Sequence, residues 1–348
     1  MSDMPLVSVV TPVYNGEEHL AECIESVLSQ TYSNWDYTIV NNCSSDRTLE
    51  IAETYAAKDS RIRVHSNSRF APIIENHNIA LRQISPQSKY CKVLFADDWL
   101  FLECIEKMVR LAEAYPSVGL VGSYSLAGDR IRWQGLPYPL CCVPGREICR
   151  QRLLGGPYFL GTASTLLFRA DIVRQRPVFF ADWHIHADYT AFLDVLGNSD
   201  FGFLHEILTF CRTREKSNSS FATDYNTLLL AEIAGLQNYG PIYLTPAELD
   251  KRMRSEMRRY YRFLAKSVLR FRGKQFWKHH REWHKALALQ IDPARLIGHV
   301  FLKIAESLLR PVDAWDNIQT WWFQRGRTGA QPPAARYEQI SSGKALLK

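Results

Sequence analysis

Along the first 124 positions, segments with the apolar spacing of a β-strand alternate with segments that have the apolar spacing of an α-helix. Strand-like runs occupy 6–13, 35–40, 61–66, 90–95 and 118–124, and helix-like spacing fills 17–30, 47–57, 73–84 and 101–115. The connections between these segments are short. Strands that alternate with helices through short connections form a mostly parallel sheet with helices on both faces, so the pattern predicts an α/β fold.

A less regular block follows between residues 125 and 215. Its apolar positions predict three more elements before the pattern becomes helical near residue 225. These elements are a strand over 165–169, a helix over 186–197 and an extended segment over 201–212. Within the helical part, Gly240–Pro241 predicts a break, and Pro246 predicts the first turn of a new helix.

These patterns divide the 348 residues into an α/β domain over 1–220, a helical region over 221–330 and a flexible tail over 331–348. No apolar stretch reaches the roughly 18 residues that span a bilayer. The amino terminus lacks the basic and apolar regions of a secretory signal. Eight cysteines form no C-x-x-C pair, so we expect reduced thiols, no structural zinc site and a cytoplasmic location.

Positive charge is concentrated in one segment of the chain. Residues 251–285 contain thirteen Lys or Arg and two Glu, a local charge of +11, although the whole chain carries only +6. Aromatic residues are interleaved with these cations as far as residue 323. Such a segment can lie on an anionic membrane at its inner face, or it can be a helical extension whose aromatics pack inward. No nucleic-acid-binding module surrounds the basic run, so no nucleic-acid partner is expected.

Asp97 and Asp98 end an apolar strand-like run abruptly. Two adjacent carboxylates repel each other, and a divalent cation held between them and a phosphate removes that repulsion. Ligands of open α/β sheets also bind at the carboxyl ends of strands. The alternative is a solvated turn in which Asp98 caps the following helix.

Several nucleotide-binding and hydrolytic classes are excluded by their missing motifs. The turn after the first strand reads Thr11-Pro-Val-Tyr-Asn-Gly16, which is neither G-x-G-x-x-G nor a P-loop. The sequence also contains no G-x-S-x-G. A dinucleotide-dependent oxidoreductase, a P-loop NTPase and an α/β hydrolase are therefore disfavoured.

Four motifs in order resemble those of family 2 glycosyltransferases of the kind that build bacterial cell-surface polysaccharides. They are Val9-Val-Thr-Pro-Val-Tyr-Asn15, Ser26-Val-Leu-Ser-Gln-Thr-Tyr32, Ile39-Val-Asn-Asn-Cys-Ser-Ser-Asp46 and Phe95-Ala-Asp-Asp98. The resemblance covers roughly residues 5–215. It implies a Rossmann-like GT-A fold, a nucleotide-sugar donor, inversion at the anomeric carbon and a Mn²⁺ or Mg²⁺ cofactor.

The resemblance also implies where the donor binds. The expected donor-binding residues are Thr11, Pro12, Tyr14, Asn42, His77, Asp97 and Asp98, with Asp98 as the metal ligand. Asn42 and His77 depart from the family, which usually has Asp and Arg at these positions. An amide can still accept a hydrogen bond from a base, but without the strength of a charged acceptor, so the base stays open. Asp46 is expected to cap helix 47–57 instead.

An inverting transfer requires a general base, and the resemblance assigns that role to Asp188 near the start of helix 186–197. Asp182 is the competing carboxylate. The acceptor, a glycan or a lipid-linked glycan, is expected to contact residues on either side of the base. These expected acceptor-binding residues are Gly161, Trp183, His184 and His186.

Two other classes of protein remain open on the sequence. A non-catalytic nucleotide- or glycan-binding module is one, because Asn42 weakens the base site. A sugar-nucleotide nucleotidyltransferase is the other, but the Gly-rich triphosphate loop with Arg and Lys that it needs near residue 12 is missing.

Overall fold

The computed structural model describes residues 4–132, 135–181, 186–212 and 218–309. The predictions for Asp182, Trp183, His184 and the tail over 331–348 fall outside these ranges. The chain divides into two compact units, Met1–Ser220 and Phe221–Lys348.

The first unit contains ten strands and seven α-helices within the described ranges. The strands are β1 (Val7–Val13), β2 (Trp35–Asn41), β3 (Ile62–Ser66), β4 (Tyr90–Val93), β5 (Trp99–Leu100), β6 (Val118–Ala127), β7 (Arg130–Arg132), β8 (Cys142–Val143), β9 (Leu166–Arg169) and β10 (Asp200–Phe210). The helices are α1 (Leu20–Leu28), α2 (Thr48–Ala56), α3 (Ile73–Leu81), α4 (Cys104–Ala114), α5 (Gly145–Leu153), α6 (Ala170–Arg174) and α7 (Ala187–Val195). The predicted elements are thus present, with ends shifted by a few residues.

One sheet joins all of these strands, in the order β3-β2-β1-β4-β9-β6-β10-β5, with β7 beside β6 and β8 beside β10. The first four strands are mutually parallel, and β6 is parallel to β10. Between these two groups lies β9, which is antiparallel to both β4 and β6. Six strands therefore run in one direction, which confirms the predicted α/β fold with a mostly parallel sheet.

Amphipathic helices cover the sheet. The buried residues of α1 are spaced as one helical face and include Leu20, Ile24 and Val27. On α4, Ile105 and Met108 are likewise fully buried. Both helices join one core cluster with the inward residues of the central strands. This core therefore holds the carboxyl ends of the parallel strands at one edge of the sheet.

The second unit is helical in its described part. Its helices are α8 (Asn218–Tyr225, which spans the unit boundary), α9 (Thr227–Tyr243), α10 (Pro246–Leu269), α11 (Lys274–Ala286) and α12 (Pro293–Leu309). At the start of α10, the Thr245 hydroxyl accepts from the Glu248 amide while the Glu248 carboxylate accepts from the Thr245 amide. Among the described helices, none combines the length and apolar character needed to cross a bilayer.

Pro246 begins α10 as predicted, but the break predicted at Gly240–Pro241 is wrong. Helix α9 continues through Pro241 to Tyr243. Proline has a fixed φ that suits a helix, but it lacks an amide hydrogen and its ring crowds the carbonyl four residues earlier. Because Pro241 lies in the last turn, the helix loses one bond and then closes with the Leu244 amide donating to the Gly240 carbonyl.

Candidate active site

The carboxyl edge of the sheet gathers most of the predicted donor-binding residues. Tyr14 follows β1, Asn42 follows β2, and the Asp97–Asp98 pair follows β4. Because β1 lies between β2 and β4 and is parallel to both, the three loops are neighbours. A separate cavity of about 320 Å³, lined by residues that include Lys89 and Glu113, opens at the amino edge.

Asp98 is a buried carboxyl that accepts hydrogen bonds from three neighbouring groups. It is only 5% exposed, and its Oδ1 accepts a hydrogen bond from the Arg212 amide at 3.0 Å. Burial and the adjacent Asp97 raise its pKa to about 7, although hydrogen bonds from Ser164, the Arg212 amide and Cys211 offset part of the effect. The structure therefore keeps a carboxyl at this place against desolvation and like charge, which a solvated helix cap would not require.

A buried lysine, Lys92, holds the turn that contacts the acid pair. The Nζ of Lys92 on β4 donates to the carbonyls of Ser164 at 2.7 Å and Leu166 at 3.1 Å. The Ser164 hydroxyl in turn accepts from the Phe95 amide at 3.0 Å. These bonds fix the turn before β9 against the end of β4. Predicted acceptor residue Gly161 begins this turn in the left-handed backbone region, at φ 71°.

Arg212, which the sequence did not single out, connects β10 to the acid pair. Its Nε donates to the Asp97 carbonyl at 3.3 Å, and its Nη2 donates to the Glu22 carboxylate at 2.7 Å. The guanidinium also lies over the Trp99 ring, 5.3 Å from its centroid. Its main partners are far away in sequence, so no local pattern could have revealed the role.

The loops after β1 and β2 are tied together reciprocally. Glu17 accepts from the Arg47 amide at 3.0 Å, and Asp46 accepts from the Glu17 amide at 3.1 Å. Asp46 also accepts from the Thr48 amide at 3.0 Å, so it contacts the start of α2, although the N-cap is Arg47 and not Asp46 as predicted. Tyr14 projects from this frame with partial exposure and packs edge-on against Phe70, with ring centroids 4.9 Å apart.

Thr11 and Pro12 are buried in the frame beneath Tyr14. The Thr11 hydroxyl is hydrogen-bonded to the Tyr37 hydroxyl at 2.8 Å and is fully buried. Its side chain therefore fastens β1 to β2, and it can act on a ligand only by setting the position of the loop that follows.

The Asn42 carboxamide is engaged by the protein itself. Its Oδ1 accepts from the Ala71 amide at 2.8 Å and from Asn67 Nδ2 at 2.9 Å, while its Nδ2 donates to the Ala71 carbonyl at 2.8 Å. The side chain is 2% exposed. An amide can satisfy both Ala71 groups at once, whereas a carboxylate would face the carbonyl with a second acceptor. This arrangement gives a physical reason for Asn at position 42.

His77 lies half-buried on α3, stacked on Phe95 with ring centroids 5.0 Å apart. Burial lowers its pKa to about 4, so the imidazole is neutral at pH 7. A neutral ring can hydrogen-bond to a ribose or a phosphate, but it does not supply the positive charge of the arginine usual in the family.

The candidate base Asp188 lies in the first turn of α7, preceded by His186 at the helix start. Its Oδ1 accepts from the Tyr189 amide at 2.8 Å. Burial raises its pKa to about 6, against a smaller opposing effect of backbone hydrogen bonds. On the approach to this helix, Asn78 of α3 donates to the Phe180 carbonyl at 2.7 Å and accepts from the Phe180 amide at 2.9 Å.

A divalent ion suits the acid pair by the chemistry of its donors. Carboxylate oxygens are preferred by Mg²⁺ and Mn²⁺, and substrate phosphates commonly supply further ligands. Among the residues that the structure describes, no three His, Cys, Asp or Glu side chains gather closely enough to hold an ion alone. The raised pKa of Asp98 beside Asp97 marks a place where a cation would relieve repulsion, so the pair fits an ion shared with a ligand.

Comparisons with known proteins agree with this architecture. Residues 8–175 match the family described as glycosyl transferase family 2. An uncharacterized glycosyltransferase of Haemophilus influenzae is 30% identical over 209 residues, which cover 56% of this chain and 61% of the relative. The solved structure of S. aureus TarS 1-349 in complex with UDP has a TM-score of 0.59 at 17% identity, covering 93% of each chain.

A mannosyltransferase of Pyrobaculum calidifontis, PcManGT, in complex with GDP-Man and Mn²⁺, has a TM-score of 0.50 at 13% identity, covering 92% of this chain and 85% of that chain. Together with the sheet order, the two solved structures identify the α/β unit as a GT-A fold. Over residues 8–175 the chain is similar to glycosyltransferase family 2, and the curated relatives that it matches include proteins named as glycosyltransferases. It spans about three fifths of the length of the first curated relatives that it matches.

Proposed function

We propose that the protein is an inverting glycosyltransferase that moves a sugar from a nucleotide-sugar to a hydroxyl of a glycan or lipid-linked acceptor. The observation that carries this proposal is the buried Asp98 carboxyl beside Asp97 at the carboxyl edge of the sheet. The match of residues 8–175 to glycosyl transferase family 2 supports the reaction class. The proposed setting is the cytoplasmic side of a membrane, where a lipid-linked acceptor would be within reach.

The donor is proposed to lie across the loops after β1, β2 and β4. Tyr14 offers a partly exposed ring for the nucleoside, and His77 offers a neutral ring nitrogen for a ribose or phosphate oxygen. Because Asn42 is hydrogen-bonded to Ala71 and Asn67, its proposed role is to hold these two residues in place beside the base. We propose Asp97 as a donor-binding residue beside the ribose.

Asp98 is proposed to hold a Mn²⁺ or Mg²⁺ ion together with the donor phosphates, and such an ion offsets the charge that develops on a departing nucleoside diphosphate. The protein's own part is to keep the carboxyl in place. The Arg212 amide and the Ser164 hydroxyl orient it, and Lys92 holds the Ser164 turn beneath it.

Asp188 is proposed as the general base. A pKa of about 6 leaves its carboxylate ionised at pH 7, yet basic enough to accept a proton. The acceptor O–H proton moves to Asp188 while the acceptor oxygen forms a bond to the anomeric carbon. On the opposite face, the bond from that carbon to the diphosphate oxygen breaks, and the nucleoside diphosphate leaves with the electron pair. Gly161 and His186 are proposed to contact the acceptor, as are Trp183 and His184.

A donor screen tests the reaction class directly. Full-length protein is incubated with UDP-, GDP- and dTDP-sugars and Mn²⁺, and released nucleoside diphosphate is measured with and without glycan acceptors. We expect one donor class to be turned over, and Asp98→Asn and Asp188→Asn to abolish that turnover. Asp194→Asn is the matched control, because Asp194 lies on the same helix in an exposed ion pair with Arg176.

Calorimetry separates the proposal from a non-catalytic module. Metal-dependent binding of a nucleoside diphosphate that Asp98→Asn removes supports the donor site. Binding without turnover of any donor, across lipid-linked and soluble acceptors, would favour the module, whereas full turnover by Asp188→Asn would remove that residue from the mechanism.

A further inference from the structure

Helix α12 exposes an apolar stripe along one face. Its residues Ile297, Phe301, Ile304 and Leu308 follow the spacing of four, three and four that places side chains on one side of a helix. They are 55%, 67%, 39% and 77% exposed, respectively. Single exposed apolar residues are common, but a continuous stripe of this kind marks a surface that binds something.

A basic groove lies beside this stripe. Helices α10 and α12 run parallel, since Tyr261 meets Asp292 and His299, and Lys266 meets Lys303 further along. Between them is a cavity of about 380 Å³. The polar side chains that line it are Arg262, Lys266, His299, Lys303 and Glu306.

The groove carries an excess of positive charge. Glu306 forms an ion pair with Lys303 at 2.9 Å and is the one carboxylate among the lining residues. Arg270 and Lys303 add to the burial that lowers the pKa of Lys266. Burial lowers the pKa of His299, and the nearby Arg295, Arg262 and Arg258 lower it further. These cations repel one another, and an anion in the groove would relieve that repulsion.

Charge decides between the possible occupants of this surface. A second copy in a symmetric dimer would bring the same basic groove against itself or beside itself. Residues 310–348 of the same chain contain six Lys or Arg against three Asp or Glu, so they too are cationic. An anionic bilayer surface combines negative headgroups with an apolar interior, which matches both the groove and the stripe.

We propose that α12 docks on an anionic membrane, with its apolar stripe inserted among the acyl chains and lipid phosphates bound along the Arg262–Lys266–Lys303 groove. This proposal narrows the membrane location suggested above to one surface. It rests on the contacts of the helical unit and not on the transfer chemistry.

Vesicle co-sedimentation of the full chain tests the proposal. One vesicle preparation is phosphatidylcholine alone, and the other is phosphatidylcholine with an equal amount of phosphatidylglycerol. We expect the protein to bind the second preparation and to be released as salt concentration rises. The double variant Phe301→Ser with Leu308→Ser should weaken partitioning on the order of tenfold or more.

Removal of the groove charges should have an effect of similar size. Arg262→Gln with Lys266→Gln is expected to weaken binding on the order of tenfold. The matched control is Lys274→Gln with Lys278→Gln, which removes the same charge from exposed positions on α11. For the stripe, the control is Ile131→Ser on β7, at a residue that is 61% exposed. Both controls should retain nearly full binding.

Several outcomes would overturn the proposal. These are absence of vesicle binding by the wild-type chain, equal binding to both preparations, or an equal loss in the charge control. Sedimentation velocity without vesicles gives a further contradicting outcome. If the wild-type chain is a dimer and the stripe variant is a monomer, the surface serves self-association. Phosphate binding in the groove without vesicle binding would assign it to a free anion. Nucleotide-sugar turnover with a soluble acceptor should be unchanged in the stripe variant, which keeps this test separate from that of the reaction.

Discussion

The backbone amide of Arg212 donates to the Oδ1 of Asp98 at 3.0 Å, although the two residues are 114 positions apart. The end of β10 therefore orients the carboxyl that ends the β4 segment. Because the amide belongs to the backbone, this bond is available after any substitution at position 212 except proline. The guanidinium can thus be tested separately from the amide.

Arg212→Gln should lower kcat/KM on the order of tenfold, because the guanidinium fixes the Asp97 carbonyl next to the proposed ligand. Stability should fall by less than about 1.5 kcal/mol, because the side chain is partly exposed and the backbone bond remains. Steady-state kinetics and urea unfolding measure the two effects. Glu22→Gln is the control, since it spares the bond to Asp97, and an equal loss of activity there would contradict the assignment.

The pH profile at saturating Mn²⁺ should report Asp188, because a bound cation would displace the proton from Asp98, whose pKa is otherwise raised to about 7. The pKa of Asp188 is raised to about 6, so the active carboxylate form is lost below that pH, and kcat/KM should fall about tenfold per unit further down. The plateau should lie above pH 7. Asp188→Asn should remove this limb together with on the order of 10² to 10⁴-fold of the rate. A limb near pH 6 that persists in the residual activity would assign the titration to another group.

The raised pKa of Asp188 also predicts how the free energy of unfolding changes with pH. The folded protein holds the Asp188 proton more tightly than the unfolded chain, so its protonation stabilises the fold at low pH. That contribution is fully present below the unfolded pKa near 3.8 and is lost as pH rises through about 6. Asp188→Asn should therefore reduce the difference in unfolding free energy between pH 4 and pH 7, whereas Asp194→Asn should not.

Asn42→Asp, which would restore the usual family residue, should destabilise the protein. A carboxylate cannot donate to the Ala71 carbonyl that Asn42 Nδ2 now satisfies, so the loss should be about 1–3 kcal/mol. Asn41→Asp is the matched control. Its Nδ2 faces the Ser66 hydroxyl, which can rotate and become the donor, so the loss should stay below about 1 kcal/mol. Equal urea midpoints for the two variants would contradict this explanation.

Lys92→Met should lower the stability of the protein and weaken nucleotide binding at the acid pair. It removes the Lys92 donor from the Leu166 carbonyl and from the Ser164 carbonyl, which keeps only the longer bond from the Thr209 hydroxyl at 3.3 Å, at a cost of about 2 kcal/mol or more. Metal-dependent nucleotide binding should weaken as well, because the Ser164 hydroxyl bonds to Asp98. Lys89→Met makes the same substitution at an exposed ion pair and should change stability by under about 1 kcal/mol. Unchanged nucleotide binding in folded Lys92→Met would separate the lysine from the acid pair.

Local periodicity was enough to predict most elements of the α/β unit. Helix α1 and strands β1 and β2 have strong apolar patterns, and their ends lie within three residues of the predicted ones. Asp46 was predicted to cap α2 because Asp is a residue type common at helix starts, and the structure places it one residue before the N-cap, with a bond to the Thr48 amide. Its second bond, to the Glu17 amide, joins two loops and leaves no local signal.

Other features depend on contacts between distant segments. Arg212, Lys92 and the Asn42–Ala71 pairing were missed because their partners lie between 29 and 190 residues away. The direction of β9 was also unpredicted, since four apolar residues are compatible with either orientation. Pro241 misled the prediction for a different reason: the loss of its own amide bond does not end α9 at Gly240, and the helix continues for two more residues to Tyr243.

The antiparallel strand β9 also constrains how the chain can fold during synthesis. It pairs with β4 on one side and β6 on the other, and it is made after both of them. Until Leu166–Arg169 leaves the ribosome, β4 is an open edge of the β3-β2-β1-β4 sheet and β6 has only β7 beside it, because β10 is made later still. Such open edges are prone to pair with other chains. A polypeptide that stops before Leu166 should therefore aggregate, even though it contains Tyr14, Asn42 and both acids.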